Sequence, residues 1–212
     1  MRLARFALCL APIALAAAAP SHACSVASGY RIPSTLELVD RADTILLARV
    51  EEGAAYPDVP GILRARLVPT QLLKGDTLPA ELDYDNALLS GEQLGTTPSD
   101  PRNLVDAHPD AFAGSCNRSV FDRGMILLIF LDREDGALRV MAPPFSRTLE
   151  DVPSPDALWV KAVKLYIEIA AHPRRERRKA MESRMIHLSL LIDDPDALLL
   201  AHELHRALRG DR

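Results

Sequence analysis

The order of apolar and polar positions divides the chain into three parts. Basic Arg2 and Arg5 precede an almost wholly apolar stretch from Phe6 to Ala19. Short apolar or alternating runs, bounded by turn residues, fill the middle of the chain, and a helical period takes over after Pro153. This pattern predicts a signal peptide, a β-rich domain and a helical extension. We place them at residues 1–23, 24–150 and 153–212.

The middle part is predicted to begin with a short helix and to continue with strands. Ser34 and Glu37 have the spacing of a capping box at the start of that helix. Asp135-Gly136 is typical of a hairpin turn. Five β-rich, alternating or turn-bounded runs are predicted as strands, at residues 44–50, 62–73, 79–84, 125–132 and 137–142. The fold class is therefore α+β, with about five strands in a small antiparallel barrel.

One connection, residues 85–117, is longer than the loops usual in compact domains. It is rich in glycine and proline and shows no sustained period, and loops of this length are either functional or disordered. His108 and Asp110 lie in it, shortly before Cys116. Two interpretations stay open for this pair: a brace that holds the loop by hydrogen bonds, and a site for a metal ion or small ligand.

Three helices joined by short turns are predicted beyond Pro153. Ser154-Pro155-Asp156 and Asp194-Pro195-Asp196 are typical of helix starts with proline at the first helical position, and Gly210 is typical of a helix end. The expected element is a compact three-helix unit that packs on itself or on the barrel. Apolar residues recur at helical spacing at Trp159, Val163, Tyr166 and Ala170, at Met181, Met185, Leu188 and Ile192, and at Ala201, Leu204 and Leu208.

The second of these helices carries the strongest local charge of the chain. A basic run of this kind is a candidate contact for anionic lipid headgroups, lipopolysaccharide or an acidic partner, which would allow peripheral membrane contact. Acidic residues at helical spacing favour a solvated face instead. The run consists of Arg174, Arg175, Arg177, Arg178 and Lys179.

Histidines in the last helix resemble a zinc-protease motif only superficially. His202 and His205 are three residues apart, whereas that motif requires four. We interpret both as solvated side chains. No serine or cysteine nucleophile has a companion base in a recognisable frame. The chain is therefore predicted to be a non-catalytic protein without a cofactor.

Composition limits the classes of partner. The 212 residues include 25 basic and 29 acidic side chains, a formal net charge of −4, and 5% aromatic residues. A mildly acidic chain of this kind is not expected to bind nucleic acid. After the leader no apolar run approaches the roughly 20 residues that span a bilayer, so an integral membrane protein is not expected either. The predicted partner is another envelope or extracellular protein.

Processing after Ala23 would leave two cysteines, Cys24 and Cys116. The leader predicts export to the periplasm or the medium, and two thiols in an oxidising compartment predict a disulfide between them. Lipidation of Cys24 is the alternative. Lipidated cysteines usually have leucine or a similar residue three positions upstream, whereas this chain has Ser21 there.

Several short motifs, in order, resemble bacterial netrin-like domains related to tissue inhibitors of metalloproteinases. The resemblance covers about residues 23–145 and leaves the helical extension unmatched. It implies an OB-type β-barrel with the N-terminal cysteine tied to the barrel. The motifs are Cys24 after Ala23, the helix end at 39–43 with the strand at 45–50, Leu72-Leu73-Lys74-Gly75, Cys116 after Gly114, and the segment 121–128 around Gly124.

The resemblance also implies an alternative function. In the animal inhibitors, the α-amino group and carbonyl of the first cysteine chelate the zinc of the target protease, and Cys24 matches that position. Ser25 and Val26 follow it, so the second cysteine of the inhibitors' Cys-X-Cys start is missing. A metalloprotease inhibitor acting through Cys24 is therefore the alternative to a general binding module.

Overall fold

The computed structural model describes residues 25–57, 59–82 and 84–210 as an α+β chain in which a curled mixed sheet packs against helices. The helices are α1 (Thr35–Arg41), α2 (Leu158–Ala170), α3 (Arg174–Ser189) and α4 (Pro195–Arg209), with a 3-10 turn at Pro109–Phe112. The strands are β1 (Thr44–Ala55), β2 (Leu63–Lys74), β3 (Leu88–Leu89), β4 (Val120–Phe121), β5 (Ile126–Glu134), β6 (Ala137–Val140) and β7 (Leu149–Val152).

The strand order along the sheet is β4-β3-β2-β1-β5-β6, and β7 pairs with β5 beside β6. Neighbours are antiparallel except β3 and β4, which pair in parallel. The expectation of a wholly antiparallel sheet is wrong at that pair. Among the described residues no pairing joins β4 to β6, so the sheet forms a half-barrel.

Register shifts interrupt the pairing of the two longest strands of the sheet. The β1–β2 register shifts at three places, between Ile45 and Leu46, between Leu47 and Ala48, and between Glu52 and Ala55. Bulges of this kind bend a strand and increase its twist.

Strands β1 and β5 are buried on both faces, which explains their continuous apolar sequence. Ile45 and Leu47 of β1, with Phe130 of β5, pack into a core shared with α1 and the three C-terminal helices. Leu46 and Ile129 point into a second core inside the curl. The helices thus share a core with the sheet, and the division into two domains at residues 150–153 stays a prediction.

Several predicted elements are confirmed. Ser34 and Glu37 form the capping box of α1. Asp135 and Gly136 both have positive φ, as the tight β5–β6 hairpin requires. Asp194 caps α4, and Gly210 ends that helix in the left-handed conformation. The short N-terminal helix and the three C-terminal helices are all present.

Three details of the prediction are wrong. In the stretch 79–84, the described residues form no strand, and only Leu82 among them makes an isolated bridge to the sheet. Strand β7 is unpredicted, because four residues between turns show too little alternation to be recognised. Helix α2 begins at Leu158 rather than near Pro155, and the main chain at 154–156 forms a turn without a side-chain cap on the helix.

Candidate functional site

A cavity of about 500 Å³ opens where the N-terminal arm, the long connection and the C-terminal helices meet. Its size is that of a small-molecule site. We call it the cleft. Apolar side chains from all sides line it, including Leu36 of α1, Leu104 of the connection, Phe145 before β7, and Met181 and Ala207 of the helices. Its polar lining includes Arg31, Glu37, Asp106, Arg147, Tyr166, Glu203 and Arg206.

Arg147 is the most unusual lining residue. It is only 6% exposed, and its guanidinium lies 4.2 Å from the ring centroid of Trp159. Its Nη1 donates to the carbonyl of Asn103, whereas its Nε has no hydrogen-bond partner within the described structure. Burial lowers the pKa of Arg147, although surrounding carboxylates such as Glu150 and Glu203 oppose that shift. A cation is thus held in a desolvated position beside the cleft.

Glu203 supplies a buried carboxylate from α4. Its Oε1 accepts a 3.0 Å hydrogen bond from the Tyr166 hydroxyl, and its Oε2 accepts a 2.5 Å bond from Arg206 Nη2. Because Glu203 is only 3% exposed, water has little access to its carboxylate, and these two protein donors satisfy its oxygens instead. Burial, followed by the charge of Glu203, raises the pKa of Tyr166. The tyrosine therefore stays a neutral donor at physiological pH.

Stacked aromatic rings form part of the cleft lining. The ring centroids of Phe112 and Phe145 are 5.0 Å apart and nearly parallel, and Phe112 is 58% exposed. Phe145 has a φ of 59°, which is uncommon for a residue with a large side chain. Its amide donates to the carbonyl of Cys116 at 2.8 Å, which helps to hold this conformation. Backbone strain of this type concentrates at functional sites.

The side of the cleft nearest the N-terminus is fixed by Glu37. This carboxylate accepts from the Ser34 amide at 2.7 Å and pairs with Arg31 through two contacts of 2.5 and 2.8 Å. The hydrogen bond from Arg31 is the main cause that lowers the pKa of Glu37 to about 2. The arm is thereby joined to the first turn of α1.

A buried set of hydrogen bonds, the loop network, holds the long connection against β7. Arg118 is 3% exposed, forms an ion pair with Asp151 and donates to the carbonyl of Thr97 at 2.9 Å. Ser99 Oγ donates to Glu150 at 2.8 Å, and its amide donates to Asp151 at 2.9 Å. The network holds the connection in the position where residues 104–107 and Phe112 line the cleft.

His108 and Asp110 belong to this network. The Nδ1 atom of His108 accepts from the Asp110 amide at 3.1 Å, and its Nε2 lies 2.8 Å from the Thr97 carbonyl. Its amide donates to Glu150 at 3.0 Å, and its side chain caps the 3-10 turn. The arrangement is that of a brace. Metal or ligand binding by the pair stays a hypothesis, which would require His108 to give up a hydrogen bond.

The basic run on α3 is divided by its contacts. Arg177 donates to the carbonyls of Ala170 and His172, at 2.7 and 2.9 Å, and so caps the C-terminus of α2. It also forms an ion pair with Asp40. Arg178 pairs with Glu182 four residues on. Arg174, Arg175 and Lys179 have exposed or partly exposed side chains on the same helix. An anionic partner for this run stays a prediction.

The two histidines of α4 are not among the residues that line the cleft. His202 and His205 are exposed on α4, on either side of buried Glu203. Cys24 lies outside the described residues, so its disulfide with Cys116, its lipidation and its contact with a protease zinc all stay predictions. Within the part of the chain that the structure describes, no three metal-ligating side chains cluster to hold an ion, and no helix is long and apolar enough to cross a membrane.

Sequence reasoning missed the buried polar residues of the cleft. Arg147, Tyr166, Glu203 and Arg206 come together from three distant segments, which a single sequence does not reveal. A weak signal existed in α4, where Glu203 falls three residues after Leu200 and beside Leu204, on the apolar face of the helix. A charged side chain on a buried helix face requires an ion-pair or hydrogen-bond partner.

Comparison of the chain with protein-family models, with curated proteins and with solved structures found no match. The resemblance to netrin-like domains consequently stays a prediction that rests on the short motifs alone.

Proposed function

We propose that this chain is an exported, non-catalytic binding module, and that the cleft is where it binds a small amphipathic molecule. The observation that carries the proposal is a cavity of about 500 Å³ whose walls are apolar and whose lining includes the buried polar groups of Arg147, Tyr166 and Glu203. Binding sites for small molecules combine these two features, a mostly apolar lining and a few placed polar groups.

An OB-type, netrin-like barrel is the fold family that we propose for the sheet. The half-barrel of mixed strands, the short N-terminal helix and the position of Lys74-Gly75 at the end of β2 support it. The three C-terminal helices lie outside that resemblance, yet they complete the cleft. Ligand binding would thus depend on the extension as well as on the sheet.

The cleft can be tested with Nile red, a neutral dye whose fluorescence rises in apolar surroundings. The mature chain should bind one dye molecule saturably. Ala207→Phe and Thr35→Phe, which add bulk to the cleft lining on α4 and on α1, should each abolish the signal. His205→Phe is the matched control, since it adds an aromatic ring to the exposed face of α4 and should leave binding intact. Equal binding by all four proteins would refute the proposal.

A further inference from the structure

The cleft contains a positive charge that the described protein leaves unpaired. Arg147 forms no ion pair within the described residues, and its Nε lacks even a hydrogen-bond acceptor. Buried charges in proteins are normally paired, because the loss of hydration is otherwise uncompensated. Stacking on Trp159 offsets only part of that cost.

The carboxylates near Arg147 are occupied elsewhere or are exposed. Glu203 is already bound by a tyrosine and an arginine. Glu150 and Asp151 belong to the loop network, where serine, histidine and arginine groups bind them. Two further acidic residues belong to the lining: Glu37 is paired with Arg31, and Asp106 is exposed, so water solvates it. Among the described residues, Arg147 is therefore a buried cation without a carboxylate partner.

We propose that the ligand of the cleft is an amphipathic monocarboxylate, whose carboxylate pairs with Arg147 and whose apolar body lies against Leu36, Leu104 and Phe145. This inference rests on the proposed function and specifies the class of its ligand. A single negative charge matches the single unpaired cation. An aliphatic or aromatic body matches the apolar walls.

The physical basis is charge pairing in a poorly hydrated site. A guanidinium presents several N–H donors in a plane that fits the two oxygens of a carboxylate. Since Arg147 is already desolvated, the protein has met that cost before the ligand arrives, and the attraction is stronger than it would be in water. Contact with the apolar lining adds affinity that a small inorganic anion could not obtain.

Two matched ligand pairs test the charge requirement by calorimetry at pH 7.5. The first pair is 1-naphthaleneacetate and the neutral 1-naphthaleneacetamide, and the second is decanoate and 1-decanol. We expect the acid of each pair to bind the mature chain about tenfold or more tightly than its neutral partner. Equal affinities in both pairs would overturn the proposal, and this comparison requires no variant.

Variants then assign the preference to Arg147. Arg147→Met should remove the preference for the acid and leave the affinity for the neutral compounds unchanged, whereas Arg147→Lys should keep part of it. If Arg147 had only a structural role, Arg147→Met would weaken the binding of acid and neutral compounds alike. Arg123→Met removes an exposed arginine and is the control. An undiminished acid preference in Arg147→Met would also refute the proposal.

Nile red separates this inference from the proposed function. Dye binding without any acid preference would disprove the carboxylate ligand and leave the cleft as a binding site. Absence of dye binding by the wild-type chain would refute both the carboxylate ligand and the cleft as a binding site. Dye binding by Arg147→Met also verifies that this variant keeps its fold.

Discussion

At the scale of residues, Lys74 and Gly75 show why a short motif ends β2. Lys74 Nζ donates to the carbonyls of Val39 and Ala42, at 2.6 and 2.5 Å, and so binds the last turn of α1. Burial lowers the pKa of Lys74. Gly75 has a φ of 114°, and a Cβ there would come within 2.9 Å of Thr44 Oγ1. Together the two residues fix α1, and with it one wall of the cleft, to the sheet.

Gly75→Ala should therefore lower the free energy of unfolding by about 3 kcal/mol, because it combines an unfavourable φ with a steric clash. Gly124→Ala is the control, since Gly124 has a φ of 87° and nothing within 4 Å of the added methyl group. It should cost about 1 kcal/mol. Urea unfolding of both variants measures the difference, and equal costs would contradict this account of the motif.

Glu37 should make the stability of the chain depend on pH in acid. Its pKa is about 2 in the folded chain, against an ordinary value of 4.5, so the ionised form stabilises the fold above pH 4.5. The stabilisation should decline as the pH falls towards 2. Since the side chain is 44% exposed, we expect less than about 1 kcal/mol.

Comparison with Glu37→Gln tests this assignment. Urea unfolding should show the wild-type chain to be more stable at pH 7, and the gap should close near pH 2. A gap that stays constant or widens in acid would show that the carboxylate does not act through its ionised form.

At the scale of elements, the loop network explains how a connection of more than thirty residues adopts one defined conformation. Residues 85–117 contain only β3 and a 3-10 turn as regular structure. Buried polar groups replace the missing strand pairing, and Arg118 is their centre, with contacts to Thr96, Thr97, Ser99 and Asp151. Each group in such a network depends on its partners.

Arg118→Met should be strongly destabilising, by about 3–5 kcal/mol, because it leaves the largely buried carboxylate of Asp151 with the Ser99 amide but without its cationic partner. Amide exchange in residues 96–112 should accelerate more than in β1 or β5. Arg123→Met, which breaks an exposed pair with Glu52, should cost less than about 1 kcal/mol. If both variants lose the same stability, the network does not hold the connection.

At the scale of the whole molecule, the sequence predicts the elements better than their assembly. The apolar runs of β1 and β5, the caps of α1 and α4 and the hairpin at Asp135 are local signals, and each is confirmed. The parallel β3–β4 pair was missed, because strands of two residues carry no period. The cleft was missed for a different reason: Arg147 and Glu203 are far apart in sequence, and only packing brings both to one cavity.

Ligand binding in the cleft can be followed through the only tryptophan of the chain. Trp159 lies directly against Arg147, so a carboxylate that pairs with that arginine should change the tryptophan emission. Decanoate titrated into the mature wild-type chain should produce a saturable change with one-to-one stoichiometry. The same titration should leave Ala207→Phe unchanged. No change in the wild-type emission, or an identical change in Ala207→Phe, would show that the carboxylate does not bind in the cleft.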